Sequence, residues 1–470
     1  MPATGRGRAT LEVVTSSAYL PNRRELLRLA GGATVAVLVA GCRDPQLVES
    51  TGKVPAPLSM VRTSWSADQW ALGSYSFLPV GAEPSMRRSL AEPLDGRVFF
   101  AGEATSLSAP ATVHGALESG DRAAAEVVAA ATPGEMVAVI GAGAAGLRAA
   151  ATLRDRGFTV VVLEARDRIG GRIATVRPNG WPIPIELGAS WVHDIVASDL
   201  ADQLATLGVE TAPFDYDDAR DVFIEGLNDD SLDGVTADIE RALTAAEDAE
   251  ADLSISDAVV AVGGDLDLAF DHVDEVELAA EYGANADELS AWWGTQEGSQ
   301  GDDLLVLGGY GRLTEHLAIG LDVRTESAVE TVRWSFAEVS LDLADGTVVS
   351  VDRVVVTVPL AVLASGRLQF EPPLPTSTQT ALTTIGTGLL DKVWFRFAEP
   401  FWDTDALVWS RVTAPGEAFR SWFNLLPLTG EPVLLALHGG RTARMWASRS
   451  DDDLLSSAMK ALEQFAAAGF

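Results

Sequence analysis

The run Met136-Val-Ala-Val-Ile140, the turn Gly141-Ala-Gly-Ala-Ala-Gly146 and the segment Leu147-Arg-Ala-Ala-Ala-Thr-Leu-Arg-Asp-Arg156 decide the fold. Five apolar residues in a row suit a strand buried on both faces, and the alanine- and leucine-rich segment beyond the glycines predicts a helix. Gly141 permits the tight turn, Gly143 lets backbone approach a pyrophosphate, and Gly146 lets helix and strand pack closely. Ala144 and Ala145 stand where a helix N-terminus offers its amides to an anion. The next predicted strand, Thr159 to Leu163, ends at Glu164, where a carboxylate can accept from ribose hydroxyls. A lone glycine motif is weak, but strand, turn, helix, strand and terminal acid together predict an α/β fold with a Rossmann-like dinucleotide-binding domain.

The 470 residues are 47% hydrophobic, enough to bury the cores of two domains. A formal net charge of -33 excludes nucleic acid as a partner, because phosphates would be repelled, whereas a cationic substrate would be drawn in. Acidic runs such as Asp451-Asp-Asp453 read as solvated faces. With one cysteine there is no disulfide, and the five histidines lack metal-ligand spacing, so no metal site is expected. That cysteine, Cys42, closes a segment in which Arg23-Arg24 precedes the apolar stretch Leu29 to Ala40. The arrangement resembles a twin-arginine export signal ending in a lipobox, which implies an extracytoplasmic protein lipid-anchored at Cys42. Residues 43–57 read as a tether.

The sequence around Arg166-Asp-Arg-Ile-Gly-Gly-Arg-Ile173, Glu186-Leu-Gly-Ala-Ser-Trp191, Val354-Val-Val-Thr-Val-Pro-Leu360, Asp391-Lys-Val-Trp394 and Arg97-Val-Phe-Phe-Ala-Gly-Glu103 resembles the flavin-containing amine oxidase superfamily. Pro110-Ala-Thr-Val-His-Gly-Ala116 brings the resemblance closest to its polyamine oxidase and lysine-specific demethylase branch. The resemblance implies FAD, and with no thiol free to bond it the cofactor is expected to be non-covalent. On the same ground Gly170, Gly171 and Arg172 would line the pyrophosphate, and Ala165 and Arg166 would also contact the cofactor. Gly188, Ala189, Ser190 and Trp191 would pass the flavin ring, Gly102 and Glu103 would meet the ribityl chain, Thr112 and Val113 would lie along the pyrimidine, and Val329 would meet adenine. Lys392 resembles the lysine that holds a water at flavin N5, and an ammonium in that apolar strand would be costly without such a purpose. Tyr75 and Trp70 resemble the aromatics flanking the amine. His193 and Asp194 stand where the family commonly has His-Gly; His193 could meet substrate or be structural, and Asp194 could attract a second ammonium or cap a helix.

The implied reaction oxidises an amine to an imine, with O2 reoxidising the flavin and yielding peroxide. An L-amino-acid oxidase, which needs an arginine for the substrate carboxylate, and a non-catalytic flavoprotein remain as other readings. The order of the motifs is inverted relative to the family, because residues 97–116 precede the glycine turn rather than closing the chain. A circular permutation accounts for this if residues 129–135 join strand Val98 to Ala101, helix Thr112 to Val128 and strand Met136 to Ile140 into one parallel crossover, and if Phe470 lies near Pro55. A reordered reading frame would produce the same inversion. The FAD-binding domain is then expected in residues 90–195 and 302–372. The substrate domain, a mixed sheet with helices, is expected in 58–89, 196–301 and 373–470.

Overall fold

The computed structural model describes residues 54–196, 198–223, 227–295 and 301–470, so the export-like segment and Cys42 lie outside the described residues. The architecture is mixed α/β. Strand Met136–Ile140 and its neighbours form a five-stranded parallel sheet in the order Asp322–Arg324, Thr159–Leu163, Met136–Ile140, Arg353–Val356 and Val98–Phe100. Its inner strands are valine-rich and buried because both faces are covered. Helices Val113–Ala130 and Ala144–Asp155 cover one face, where Ala123, Ala124, Ala149 and Ala150 exclude solvent and let the helices approach closely. A four-stranded sheet that includes Val329–Trp334 and Val339–Leu343 covers the other through Val332, Leu341 and Val354.

The crossover through residues 98–140 forms with the ends expected from the sequence to within two or three residues. Thr112 caps its helix, accepting from the Gly115 amide at 3.0 Å. The next helix starts at Ala144, three residues earlier than expected, because Gly143 is its extended N-cap and the turn is already helical beyond it.

A six-stranded sheet lies beside this layer, with strands Ser59–Arg62, Leu390–Arg396, Val433–Gly439, Ser421–Asn424, Val408–Arg411 and Ala219–Val222 in that order. The amphipathic helix Asp451–Ala467 packs beneath it through Leu454, Ala458, Leu462 and Phe465. Val54 and Phe470 belong to that same apolar cluster, and Arg62 pairs with Asp451 at 2.6 Å. Beyond the edge strand Ala219–Val222, which pairs parallel with Val408–Arg411, a helical segment includes Asp229–Ala246, Ile255–Ala261 and Leu268–Val273.

Candidate active site

The two sheets and the helical segment enclose a cavity of about 320 Å³. At one end lie Gly141, Gly143, Ala144 and Ala145 of the turn, with Gly170, Gly171 and Arg172 facing them across a backbone bridge between Gly143 and Gly170. Gly141 has φ +103°, a conformation side chains rarely adopt. A Cβ on Gly143 would have nothing closer than the Gly170 carbonyl at 4.0 Å, so the backbone there borders open space wide enough for a ligand's phosphates. Gly146 is the exception among the glycines: it does not line the cavity, and a Cβ on it would sit 2.0 Å from the Gly141 carbonyl. The missing side chain lets the helix close on the turn. Glu164 accepts from the amides of Ala142 at 2.7 Å and Arg166 at 2.9 Å, bracing the turn while its side chain still borders the cavity beside Ala165 and Arg166. Val329 lines the same end.

In the middle, Gly102, Glu103, Thr112 and Val113 border the cavity as expected. Glu103 is buried and accepts from Arg172 at 2.8 Å, Ser76 Oγ at 2.6 Å and the Ala111 amide at 3.0 Å. Burial alone would raise its pKa; the Arg172 guanidinium outweighs this and holds it below the usual carboxylate range. Arg87, fully buried on helix Pro84–Ala91, donates to Ser76 Oγ at 2.7 Å and so braces the carboxylate from behind. Arg172 also donates to the Ser74 carbonyl at 2.8 Å, tying this network to strand Tyr75–Phe77.

Another part of the cavity is aromatic. Trp70, Tyr75 and Trp191 line it together with Tyr216 and Phe423, and Trp191 meets Phe423 edge-on at 5.7 Å. The Tyr75 hydroxyl donates to the Ala280 carbonyl at 3.1 Å, and its burial raises the phenol pKa well above the usual value. Trp65 also borders the cavity, but it is buried and donates to the Leu187 carbonyl at 3.1 Å, a packed core aromatic.

Lys392 is 4% exposed on strand Leu390–Arg396. Its Nζ donates to the Gly188 carbonyl at 2.5 Å and to Ser190 Oγ, and stands 5.0 Å from the Trp191 ring centroid. Burial pushes its pKa down to about 7, against the pull of the Glu186 carboxylate. The adjacent residue, Asp391, points the other way, accepting from Thr63 Oγ1 at 2.7 Å and the Trp65 amide at 3.0 Å. Ala189 lines the cavity between Gly188 and Ser190.

His193 lines the cavity, whereas Asp194 is not among the lining residues; it has φ +50° and its amide donates to Asp303 at 3.2 Å. Tyr216, Asp303, Arg87, Glu277 and Glu281 were not singled out from the sequence. Glu277 and Glu281 carried one signal, four-residue spacing within a helical acidic stretch, which places both on the cavity wall. Among the described residues no cluster suited to a metal occurs, and no helix is long and apolar enough to cross a membrane.

A glycine-lined cradle that opens into an aromatic chamber with a buried lysine suits a flavoprotein oxidoreductase. The chain belongs to the flavin containing amine oxidoreductase family, whose model matches residues 32–128 and 144–469. It is therefore a flavin-dependent amine oxidase. Among its relatives, polyamine oxidase 2 of Arabidopsis thaliana is 31% identical, with 70% of this chain and 72% of that protein covered. Polyamine oxidase 4 of Oryza sativa subsp. japonica is 30% identical over the same shares. The fold is like that of a putrescine oxidase solved with putrescine bound, with a TM-score of 0.57 and 22% identity over 71% of this chain and 82% of that one.

Proposed function

We propose that this enzyme binds FAD non-covalently and oxidises amines carrying more than one ammonium group. The observation that carries the reading is that Glu277 and Glu281 both line the cavity. Glu281 is close enough to raise the pKa of Tyr75, so a carboxylate stands beside the aromatics where an amine would lie. The two carboxylates would attract the additional ammonium groups of a substrate whose reacting nitrogen sits among Trp70, Tyr75 and Trp191.

When bound, the flavin would take a hydride from the carbon next to the amine nitrogen and return the electrons to O2, giving an imine and peroxide. The remaining work falls to the chain's own groups. Gly143, Ala144 and Ala145 offer backbone amides to the pyrophosphate at a helix N-terminus, and the braced Glu103 carboxylate stands ready to accept from the ribityl hydroxyls. The aromatic walls exclude water and favour the neutral amine. Lys392 can hold a proton or a water at the cavity surface and shift between charged and neutral forms near neutral pH. The L-amino-acid oxidase reading lacks its arginine: Arg172 is committed to Glu103, Arg166 to Asp68 at 2.6 Å, and Arg367 sits beside Leu368 toward the Val329 end.

Anaerobic titration of the purified enzyme with spermidine, a monoamine and an L-amino acid tests the assignment. The flavin absorbance should bleach with spermidine first, and no bleaching by any amine would refute it. Release of all flavin by acid precipitation would support non-covalent binding.

Two further elements belong to the proposal. The chain is a circular rearrangement of its family, a reading supported by the crossover of residues 98–140, by the two family matches flanking residues 129–143, and by the shared cluster of Val54 and Phe470. A gene reordered to run from residue 136 through 470 into 54–131 should yield the same flavin spectrum. Export and acylation at Cys42 rest on the N-terminal motifs alone; Cys42→Ser should release the enzyme from a membrane fraction.

A further inference from the structure

The loop of residues 63–74 brings Trp70 to the cavity, and it is fastened at three places. At its start, Asp391 accepts from the Thr63 hydroxyl at 2.7 Å and from the Trp65 amide at 3.0 Å. At its end, the Ser74 carbonyl accepts from Arg172 at 2.8 Å, and Ser74 Oγ accepts from the Leu390 amide at 2.9 Å. Between these lies Asp68, whose Oδ2 accepts from Arg166 at 2.6 Å while its Oδ1 accepts from the Trp70 amide at 2.9 Å. The Asp68 carbonyl accepts from the amides of Ala71 at 3.1 Å and Leu72 at 2.9 Å, so the turn that presents Trp70 is wound on this residue. Arg166 and Trp70 both line the cavity, whereas Asp68 is not among the lining residues. One oxygen of this acid therefore holds the glycine-cradle side of the cavity, and the other holds its aromatic part.

We propose that Asp68 is a positioning residue that couples the two parts of the cavity: by holding Arg166 and Trp70 together, it makes cofactor retention and the ordering of the aromatic wall assist one another. The proposal rests on the amine oxidase reading of the same cavity. An arginine has five N–H donors and the contact with Asp68 uses one nitrogen, so the same guanidinium can grip the acid and meet an anionic cofactor at once. A cofactor that immobilises Arg166 thereby immobilises Asp68 and, through it, the Trp70 amide. The effect runs equally in reverse, because a coupling free energy belongs to both sites.

The charge on Asp68 is what a purely local role leaves unexplained. A turn around Trp70 needs only an oxygen for its amide, which asparagine supplies equally well. The second oxygen is committed instead to a residue 98 positions away, on a different segment. The Asp68 and Arg166 side chains are 24% and 11% exposed, so water screens this pair less than it would an ion pair on the open surface. Burial alone would raise the Asp68 pKa; the hydrogen bonds from Arg166 and the Trp70 amide, with the charges of Arg166 and Arg168, outweigh it and hold the acid below its usual range. Two of the loop's three fastenings, through Arg166 and Arg172, come from arginines that line the cavity.

The test uses the holoenzyme and the variant Asp68→Asn, which keeps an oxygen for the Trp70 amide and loses the charge that holds Arg166. In protein labelled with 5-fluorotryptophan, the fluorine NMR line of Trp70, assigned by its loss in Trp70→Phe, should be single in the wild type and shift or split in the variant. Flavin fluorescence should appear at least about fivefold faster when the variant is diluted, although the substituted residue is not part of the cavity lining. The KM for spermidine should rise with kcat changing less, and Asp68→Glu, which keeps the charge, should restore most of each property. In an Arg166→Met background Asp68→Asn should add little, since a coupled pair is lost only once. Wild-type flavin release and an unmoved Trp70 line in Asp68→Asn would show a local turn alone and overturn the proposal. So would losses in the double variant that equal the sum of the single ones. Failure of every amine to bleach the flavin would instead refute the amine oxidase reading, and flavin release and the fluorine line would still decide the coupling.

Discussion

Replacing Lys392 by methionine should make the protein more stable and the enzyme slower to reoxidise. The ammonium gives up its proton near pH 7 in the folded chain and near 10.5 when unfolded. At about 1.4 kcal/mol per pH unit, this displacement corresponds to roughly 5 kcal/mol of burial penalty. Below pH 7 the full penalty is present, and it disappears as pH rises toward 10.5. Methionine fills similar space without it, but strands the Gly188 carbonyl and Ser190 Oγ, which costs about 1–3 kcal/mol. The net gain is therefore about 2–4 kcal/mol at pH 7, shrinking through zero by pH 10. Urea unfolding of wild type and Lys392→Met at pH 7 and pH 10, followed by tryptophan fluorescence, measures this difference directly. Stopped-flow mixing of reduced enzyme with O2 should show at least about a tenfold slower reoxidation in the variant, since a placed cation stabilises the charge that develops on oxygen. In the wild type that rate should fall as pH rises above 7. A variant that is less stable at pH 7, or whose advantage does not change with pH, would refute the reasoning.

Three other outcomes are expected. Gly146→Ala places a methyl 2.0 Å from the Gly141 carbonyl and should cost roughly 1–3 kcal/mol or more in urea unfolding while weakening flavin retention. Glu103→Gln leaves Arg172 without its counter-charge and should raise the flavin Kd at least about tenfold, measured by fluorescence quenching; in the wild type the same contribution should vanish as pH falls below the ordinary glutamate range. Glu281→Gln should raise the KM for spermidine about tenfold more than that for a monoamine of equal length, and an equal effect on both would remove Glu281 from diamine recognition.

The parts legible in the sequence are those that local physics dictates. Glycine spacing and the valine runs each act within a few residues, and the strands at 136–140 and 159–163 fall where the apolar runs put them. Lys392 stood out because its neighbours are apolar. Asp303 did not, because an acid at the start of a strand is ordinary until the sheet brings His193 and Tyr216 to it from residues about 110 and 90 positions away. Arg87 was hidden for the same reason: on a short polar helix it reads as solvated, and only the fold closes Ser76 and Ala104 over it. The five-residue spacing of Trp65, Trp70 and Tyr75 matched no regular period because the chain turns between them, with Leu72 at φ +57° and Gly73 at φ +152°. The left-handed backbone at Asp194, next to the cavity-lining His193, is likewise a conformation that an Asp in sequence does not announce.

Asp391 has a consequence that its distance from the chemistry conceals. Successive strand residues face opposite sides, so sliding Leu390–Arg396 by one position would withdraw the lysine from the cavity and present either a carboxylate or a valine in its place. Ladder hydrogen bonds alone do not forbid the slip, since every register satisfies them. Thr63 does: its hydroxyl donates to Asp391 and accepts from the Lys392 amide at 2.8 Å, a two-pronged grip that only one alignment satisfies. The acid on the far side of the strand thus works as an indexing pin, and a chain that lost it would risk placing the wrong residue in the cavity while every strand stayed intact.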